Sequence, residues 1–282
     1  MKQACLQLLM VAFQATLVTM SSSAGLQYDF YSSSCPNAEQ TVRNVVNGMI
    51  DADQTMPAAF LRLLFHDCFV MGCDASILLD PTKANEAVNK IKAAVEDVCS
   101  GKVSCADILA FAARDSVARS GGFTFPIPSG RRDGTVSSAF SQLIDSFAAK
   151  NLSVDDLVAL SGAHSIGVSH CSAFANRLRP TVDPAYAAQL NATCPAGGAD
   201  RAVNNSPVAP DALSNQYYRN ALAGRVLLTS DAALLTRGDT AARVNATAWM
   251  ARFAAAMVRM AGVEVLTGAQ GEVRRLCNVT NS

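Results

Sequence analysis

The chain has 282 residues, half of them hydrophobic, and balances 23 Lys plus Arg against 23 Asp plus Glu. That neutrality excludes the basic footprint of a nucleic-acid-binding protein, and the length suffices for one large domain or two lobes around a shared core. Nine cysteines make the redox compartment the next question.

Residues 1–24 read as a secretory signal peptide. Lys2 is the positive start, residues 6–19 are largely apolar, and Ser22-Ser23-Ala24 offers small residues for cleavage near Ala24 or Gly25. The apolar run is too short and interrupted for a membrane anchor, and no later segment approaches an uncharged span of membrane length. Residues 25–282 are therefore expected as one soluble domain. Cleavage removes Cys5 and leaves Cys35, Cys68, Cys73, Cys99, Cys105, Cys171, Cys194 and Cys277, an even number that argues for four disulfides in a secreted chain. Zinc is the rival use, but no C-x-x-C pair occurs and the cysteines are dispersed. Spacing alone leaves the connectivity open. Sequons at Asn151, Asn191, Asn204, Asn245 and Asn278 fit the secretory route, Asn204 least well because Pro207 follows its serine.

Val42, Val45, Val46 and Met49 share one helical face. Pro57 suits the first turn of a second helix, continued by Ala58, Phe60, Leu61, Leu64 and Phe65. On it Arg62 and His66 stand at i and i+4, hence on one face, with Phe65 beside them. A lone arginine on such a helix commonly snorkels, and a lone histidine commonly sits satisfied in a core. Two polar groups on one mostly apolar helix need a stronger reason, because burying them unpaired is costly. The loop that follows adds chemistry. Cys68 and Cys73 pinch it, and Asp67, Asp74 and the Ser76 hydroxyl offer oxygen ligands with backbone carbonyls between them. Hard oxygen donors on a pinched loop suit calcium.

Val88, Ile91, Val95 and Val98 line a third helix, and Ser104 with Asp107 forms a capping pair ahead of residues 108–117, which end at Gly121-Gly122. Ser153 with Asp156 caps another helix, Gly162 punctuates its end, and His164 follows among small residues where a flat ligand can approach closely. Strand-like alternation is scarce and no fixed-period repeat occurs, so an all-α, undivided domain is expected.

The run Arg62-x-x-Phe65-His66-Asp67-Cys68-Phe69-Val70-x-Gly72-Cys73-Asp74-Ala75-Ser76 resembles the distal haem motif of the secretory (class III) plant peroxidases. Leu157-Val158-Ala159-Leu160-Ser161-Gly162-Ala163-His164-Ser165-Ile166-Gly167 resembles the proximal one. Phe30-Tyr31, Val103-Ser104-Cys105-Ala106-Asp107, Gly130-Arg131-Arg132-Asp133, Asn215-Gln216-Tyr217-Tyr218 and Leu266-Thr267-Gly268 extend the likeness over nearly the whole mature chain. The resemblance implies a haem peroxidase fold, with haem b between two helical lobes. It also implies the disulfides Cys35–Cys99, Cys68–Cys73, Cys105–Cys277 and Cys171–Cys194. By the same resemblance the protein is a secreted monomer, extracellular, in the cell wall or vacuolar. It would reduce hydrogen peroxide while oxidising small phenolic donors by one-electron steps, in peroxide catabolism, oxidative stress and cell-wall phenolic metabolism.

Roles carry over residue by residue. His66 is the general base and then acid on peroxide, Arg62 stabilises developing negative charge, and Phe65 flanks the haem. His164 ligates iron, and Asp231 accepts a hydrogen bond from its other ring nitrogen. A distal calcium would use Asp67, Asp74 and Ser76 with the carbonyls of Val70 and Gly72, while Ser165 is a hydroxyl of a proximal calcium site. His170 has no counterpart and reads as surface or structural. A thiol hydrolase built on Cys68 and His66 is set aside, because Cys68 is better used in a disulfide.

Three departures from the family pattern stand out. The segment between Cys73 and Cys99 is short and lacks the glutamate and the asparagine that accepts from the distal histidine; Asn85 and Glu86 lie there without a clear role. A second deletion between Asp133 and Phe147 removes the loop at the donor entrance. On the proximal side, Ser206 and Ser214 stand where calcium-binding aspartates are expected, with Asp211 nearby, so one calcium is expected instead of two. These departures support an alternative, a secreted haem-binding glycoprotein with little turnover.

Overall fold

The computed structural model describes residues 25–79, 83–136, 144–177, 182–236, 238–244 and 248–281. The signal-peptide expectation, the Asn245 sequon, the Val70 side chain and parts of both shortened segments (80–82 and 137–143) lie outside the described residues.

Among the described residues the fold is helical apart from one two-stranded ribbon. The first helix, α1 (Ala38–Ala52), buries Ala38, Val42, Val46 and Ile50, with Val45 and Met49 partly covered. Next, α2 (Met56–Val70) carries Pro57 in its first turn, where a missing N–H costs nothing. In α3 (Lys83–Val98), Val88, Ile91 and Val95 are fully buried, but Val98 is exposed at the helix end, against the expectation that it joins that face.

The core is threaded by α4 (Cys105–Gly121), whose residues are all buried through Val117. Ser104 caps it by accepting from the Asp107 amide at 3.2 Å, and Gly122 ends it in a left-handed turn at φ 68°. The expected reciprocal half of that cap does not form, because the Asp107 carboxylate is spent on Tyr31, Gly130 and Arg131. Both α1 and α2 lean on α4, which sets the inclination of the helix bearing Arg62 and His66.

The second half begins with the short α5 (Ile144–Ala149) and α6 (Val154–Ser161), where the complete Ser153–Asp156 capping box forms. Antiparallel strands β1 (Val168–His170) and β2 (Ala202–Asn204) pair Ser169 with Val203. The remaining helices are α7 (Pro184–Thr193), α8 (Gln216–Leu222), α9 (Thr229–Ala233), α10 (Gly238–Val244) and α11 (Trp249–Met260). One large core joins most helices, and a smaller one gathers Phe174, Val182, Tyr186, Leu190 and Leu227 around the Cys171–Cys194 bond. All four disulfides form with the pairing that the resemblance implied.

Candidate active site

The apolar residues of α2 decide where its polar ones go. Phe60, Leu61, Leu63, Leu64, Cys68 and Phe69 are buried, which leaves Arg62 exposed and turns the half-buried Phe65 and His66 to the same side. Arg62 donates from Nε to His66 Nε2 at 3.1 Å, so that ring nitrogen is in its unprotonated, accepting form. Burial, followed by the adjacent Arg62 charge, holds His66 below the ordinary histidine value. Phe65 stacks on Phe69 at 4.3 Å and meets the His66 ring edge-on at 5.8 Å. Phe147 from α5 packs on Phe69 at 4.7 Å, completing an aromatic floor under that face.

Opposite this wall, α6 runs straight into a 3-10 turn over Gly162–Ser165 that carries His164. Gly162 stands just past the end of α6, as expected, with a helical φ of −59°. It is required for space, since a Cβ there would lie 2.5 Å from the Trp249 indole nitrogen. His164 Nδ1 pairs with Asp231 Oδ1 at 2.8 Å, and the Tyr217 hydroxyl donates to that same oxygen at 2.8 Å. Burial pulls the His164 imidazolium down, but Asp231 more than offsets it, so the group lies above its ordinary value; Arg62 opposes weakly from across the gap. The buried Tyr217 phenol is pushed far up, first by desolvation and then by the Asp231 charge, and stays a proton donor. At one end the two walls close tightly: a Cβ on Gly167 would come within 2.8 Å of Ala58 Cβ at the start of α2.

These residues fit haem. His164 spends Nδ1 on a carboxylate, and no described residue meets its Nε2. The side chain keeps 40% of its surface accessible, and the Arg62 charge on α2 lies within electrostatic range of it. A histidine oriented by a carboxylate, with its second nitrogen left without a protein partner, is the donor set that holds haem iron. A surface groove of about 340 Å³ lined by Asp155, Ala251, Arg252, Ala255 and Arg259 includes none of these groups.

The loop after α2 fits a cation. Asp67, Asp74 and Ser76 are all buried, and Ser76 Oγ has no hydrogen-bond partner. Burial and then the charge of Asp74 push the Asp67 carboxyl up to about 8, although it accepts from the Ala75 and Ile77 amides. Two desolvated carboxylates and an orphaned hydroxyl form a set that a divalent ion would satisfy. Among the described residues no third acidic, histidine or cysteine side chain joins them, so hydroxyl and carbonyl oxygens must complete the shell. Gly72 holds the loop at φ 93° where a Cβ would strike the Glu264 carbonyl, and its own carbonyl already accepts from the Asp74 amide at 2.9 Å.

The proximal hydroxyls do not fit a cation. Ser165 Oγ accepts from the Ser214 amide at 3.0 Å, and Ser206 Oγ lies between the Asn220 amide at 2.9 Å and the Val208 carbonyl at 2.5 Å. Asp211 is exposed and outside this network. Protein hydrogen bonds thus stand where a second ion would need unshared oxygens. Asn85, in the shortened distal segment, is buried and donates to the Leu78 carbonyl at 2.9 Å, while Glu86 is exposed.

The comparisons with known proteins decide the family. A peroxidase family model matches residues 42–249. The chain belongs to the peroxidase family. It is 42% identical to Peroxidase 2 of Zea mays, with 95% of each chain covered, and 40% identical to Peroxidase 5 of Vitis vinifera, with 94% of each covered. Peroxidase 46 of Arabidopsis thaliana is 39% identical with 96% of each covered. The first of these alignments runs over 319 positions against a chain of 282 residues, so this peroxidase carries gaps relative to its relative. The peroxidase is a haem enzyme of the plant class that its two motifs resemble, and hydrogen peroxide is its oxidising substrate. Among the described residues no helix is long and apolar enough to cross a membrane.

Sequence reading names Arg62, His66, His164 and Asp231; the structure pairs Arg62 with His66 and His164 with Asp231, and puts Arg62 within electrostatic range of His164. It missed Tyr217, visible in sequence only as part of a family match, whose hydroxyl shares the Asp231 oxygen with His164. It also missed Arg177, whose guanidinium bonds the Val226 and Leu228 carbonyls within electrostatic range of Asp231.

Proposed function

We propose that this peroxidase binds one haem b through His164 and works on hydrogen peroxide with His66 and Arg62. The observations that support the reading are the Arg62–His66 pair on α2, the His164–Asp231 pair beyond α6, and the electrostatic reach of Arg62 to His164. When bound, haem supplies a redox-active iron that passes the oxidising power of peroxide to donors one electron at a time. His66, kept neutral by burial and by Arg62, accepts a proton from peroxide at Nε2 and returns it to the departing oxygen. Arg62 places its positive charge against the negative charge that develops as the oxygen–oxygen bond breaks. Asp231 holds His164 in one tautomer and raises its basicity.

The donors are small phenols, and the mature protein is residues 25–282, secreted to the cell exterior or wall as a monomer in peroxide and wall-phenolic metabolism. The even disulfide set and the sequons support the secretory route. The decisive test is His164→Ala, expected to abolish the spectrum of histidine-ligated haem; a variant that keeps that spectrum would sink the assignment.

The distal loop holds one calcium and the proximal side none. Metal analysis after extensive dialysis is expected to find one calcium per chain, and chelation to lower the melting temperature in one step, because the ion binds only the folded loop. Two tightly held ions would refute it.

A further inference from the structure

The bond from Tyr217 touches neither Arg62 nor His66, yet it ends on the Asp231 oxygen that orients His164. Tyr217 sits on α8, is 2% exposed, and has one donor proton, which it gives to Asp231 Oδ1 at 2.8 Å. His164 Nδ1 stands 2.8 Å from the same oxygen, and the two rings meet edge-to-face with centroids 6.3 Å apart. Hydrogen bonds to a carboxylate are charge-assisted, and each draws on the same lone-pair density, so a second donor on one oxygen weakens what the first receives. The Tyr217 ring is fixed by Tyr218 at 5.0 Å, and a buried phenol is costly to leave unpaired, so this sharing is built in.

We infer that Tyr217 is a positioning residue that moderates the electron release of His164 to the haem iron by competing for Asp231 Oδ1. Through it, the peroxidase sets how strongly its proximal histidine stabilises oxidised iron. The inference rests on His164 holding haem, and its test separates the two.

In the haem-loaded protein, Tyr217→Phe keeps the ring and removes only the competing donor. The midpoint potential of the iron is expected to fall, by about three- to tenfold in the one-electron reduction equilibrium, or roughly 30–60 mV. The iron–histidine stretching frequency of the reduced protein is expected to rise. Replacing Tyr217 by 3,5-difluorotyrosine, a stronger donor of nearly the same shape, is expected to move both readouts the opposite way. A variant with lower melting temperature but unchanged potential and stretch would make Tyr217 an anchor only and overturn the inference, as would shifts of one sign in both replacements. Should Tyr217→Phe fold poorly, the difluorotyrosine protein alone decides, since its packing is retained. Wild-type protein whose haem shows no histidine ligation would remove the haem reading itself, and this inference with it.

Discussion

Replacing His66 by alanine is expected to slow hydrogen peroxide consumption by about a hundred- to ten-thousandfold, the ordinary yield of a positioned general acid–base group. Arg62→Ala is expected to cost about a hundred- to a thousandfold, as does loss of one donor that meets developing charge. The structure adds a constraint. Arg62 Nε presently donates to His66 Nε2, the nitrogen that must take the peroxide proton. One lone pair cannot serve both, so the guanidinium must release the imidazole when peroxide binds and turn its donors to the peroxide oxygen. Arg62 also helps hold His66 below its usual value, so the rate should stay level to pH below the free-histidine range and fall only as His66 is protonated. In Arg62→Ala the acid limb should move upward, toward that range. Stopped-flow rates across pH for the wild type and both variants measure all of this. Equal rates in the three proteins would exclude both residues from the chemistry. A wild type with intact haem but negligible turnover would favour the haem-binding glycoprotein instead.

How much of this was legible in the sequence depends on how local the cause is. Arg62 and His66 are one helical turn apart, so periodicity alone put them on a common face. The Ser153–Asp156 cap is likewise a matter of three residues, and it formed in full. The Ser104–Asp107 cap formed only by half, because Asp107 has better partners 23 to 76 residues away. Gly162 shows the same limit: its need for a small side chain comes from Trp249, far along the chain, and not from its own backbone angle. Tyr217 escaped for that reason too, since nothing local to α8 announces Asp231 as its acceptor. Ser165 reads in sequence as a proximal calcium hydroxyl and Ser206 as the replacement of a carboxylate ligand, whereas the folded chain gives them backbone and asparagine partners. Residue types foretold the chemistry; the long-range bonds decided which of them is available for it.

The largest stability loss is expected at Asp107, which does no chemistry. Its carboxylate is fully buried and accepts from the Tyr31 hydroxyl at 2.7 Å, the Gly130 amide at 2.7 Å and Arg131 Nη1 at 2.7 Å. Arg131 is as deeply buried, and its other bonds run to the Pro128 and Ala261 carbonyls. One carboxylate thus ties the start of α4 to the amino-terminal segment, the 128–131 crossing and the end of α11. Two sequence matches with no evident link, Val103–Asp107 and Gly130–Asp133, turn out to be partners in this knot. Asp107→Ala leaves a guanidinium, a phenol and an amide without their acceptor in a dry core. The expected cost is about 3–5 kcal/mol, that of breaking a buried ion pair from one side. For a domain of this size it corresponds to a melting temperature lower by roughly 6–20 °C. Asp107→Asn keeps an acceptor oxygen but not the charge, and should lose less. Denaturant unfolding of the three proteins orders them, and an Asp107→Ala protein as stable as wild type would show that the knot contributes nothing. Because α2 leans on α4, the same variant should also loosen the Arg62–His66 wall, seen as a slower peroxide rate well below the melting temperature.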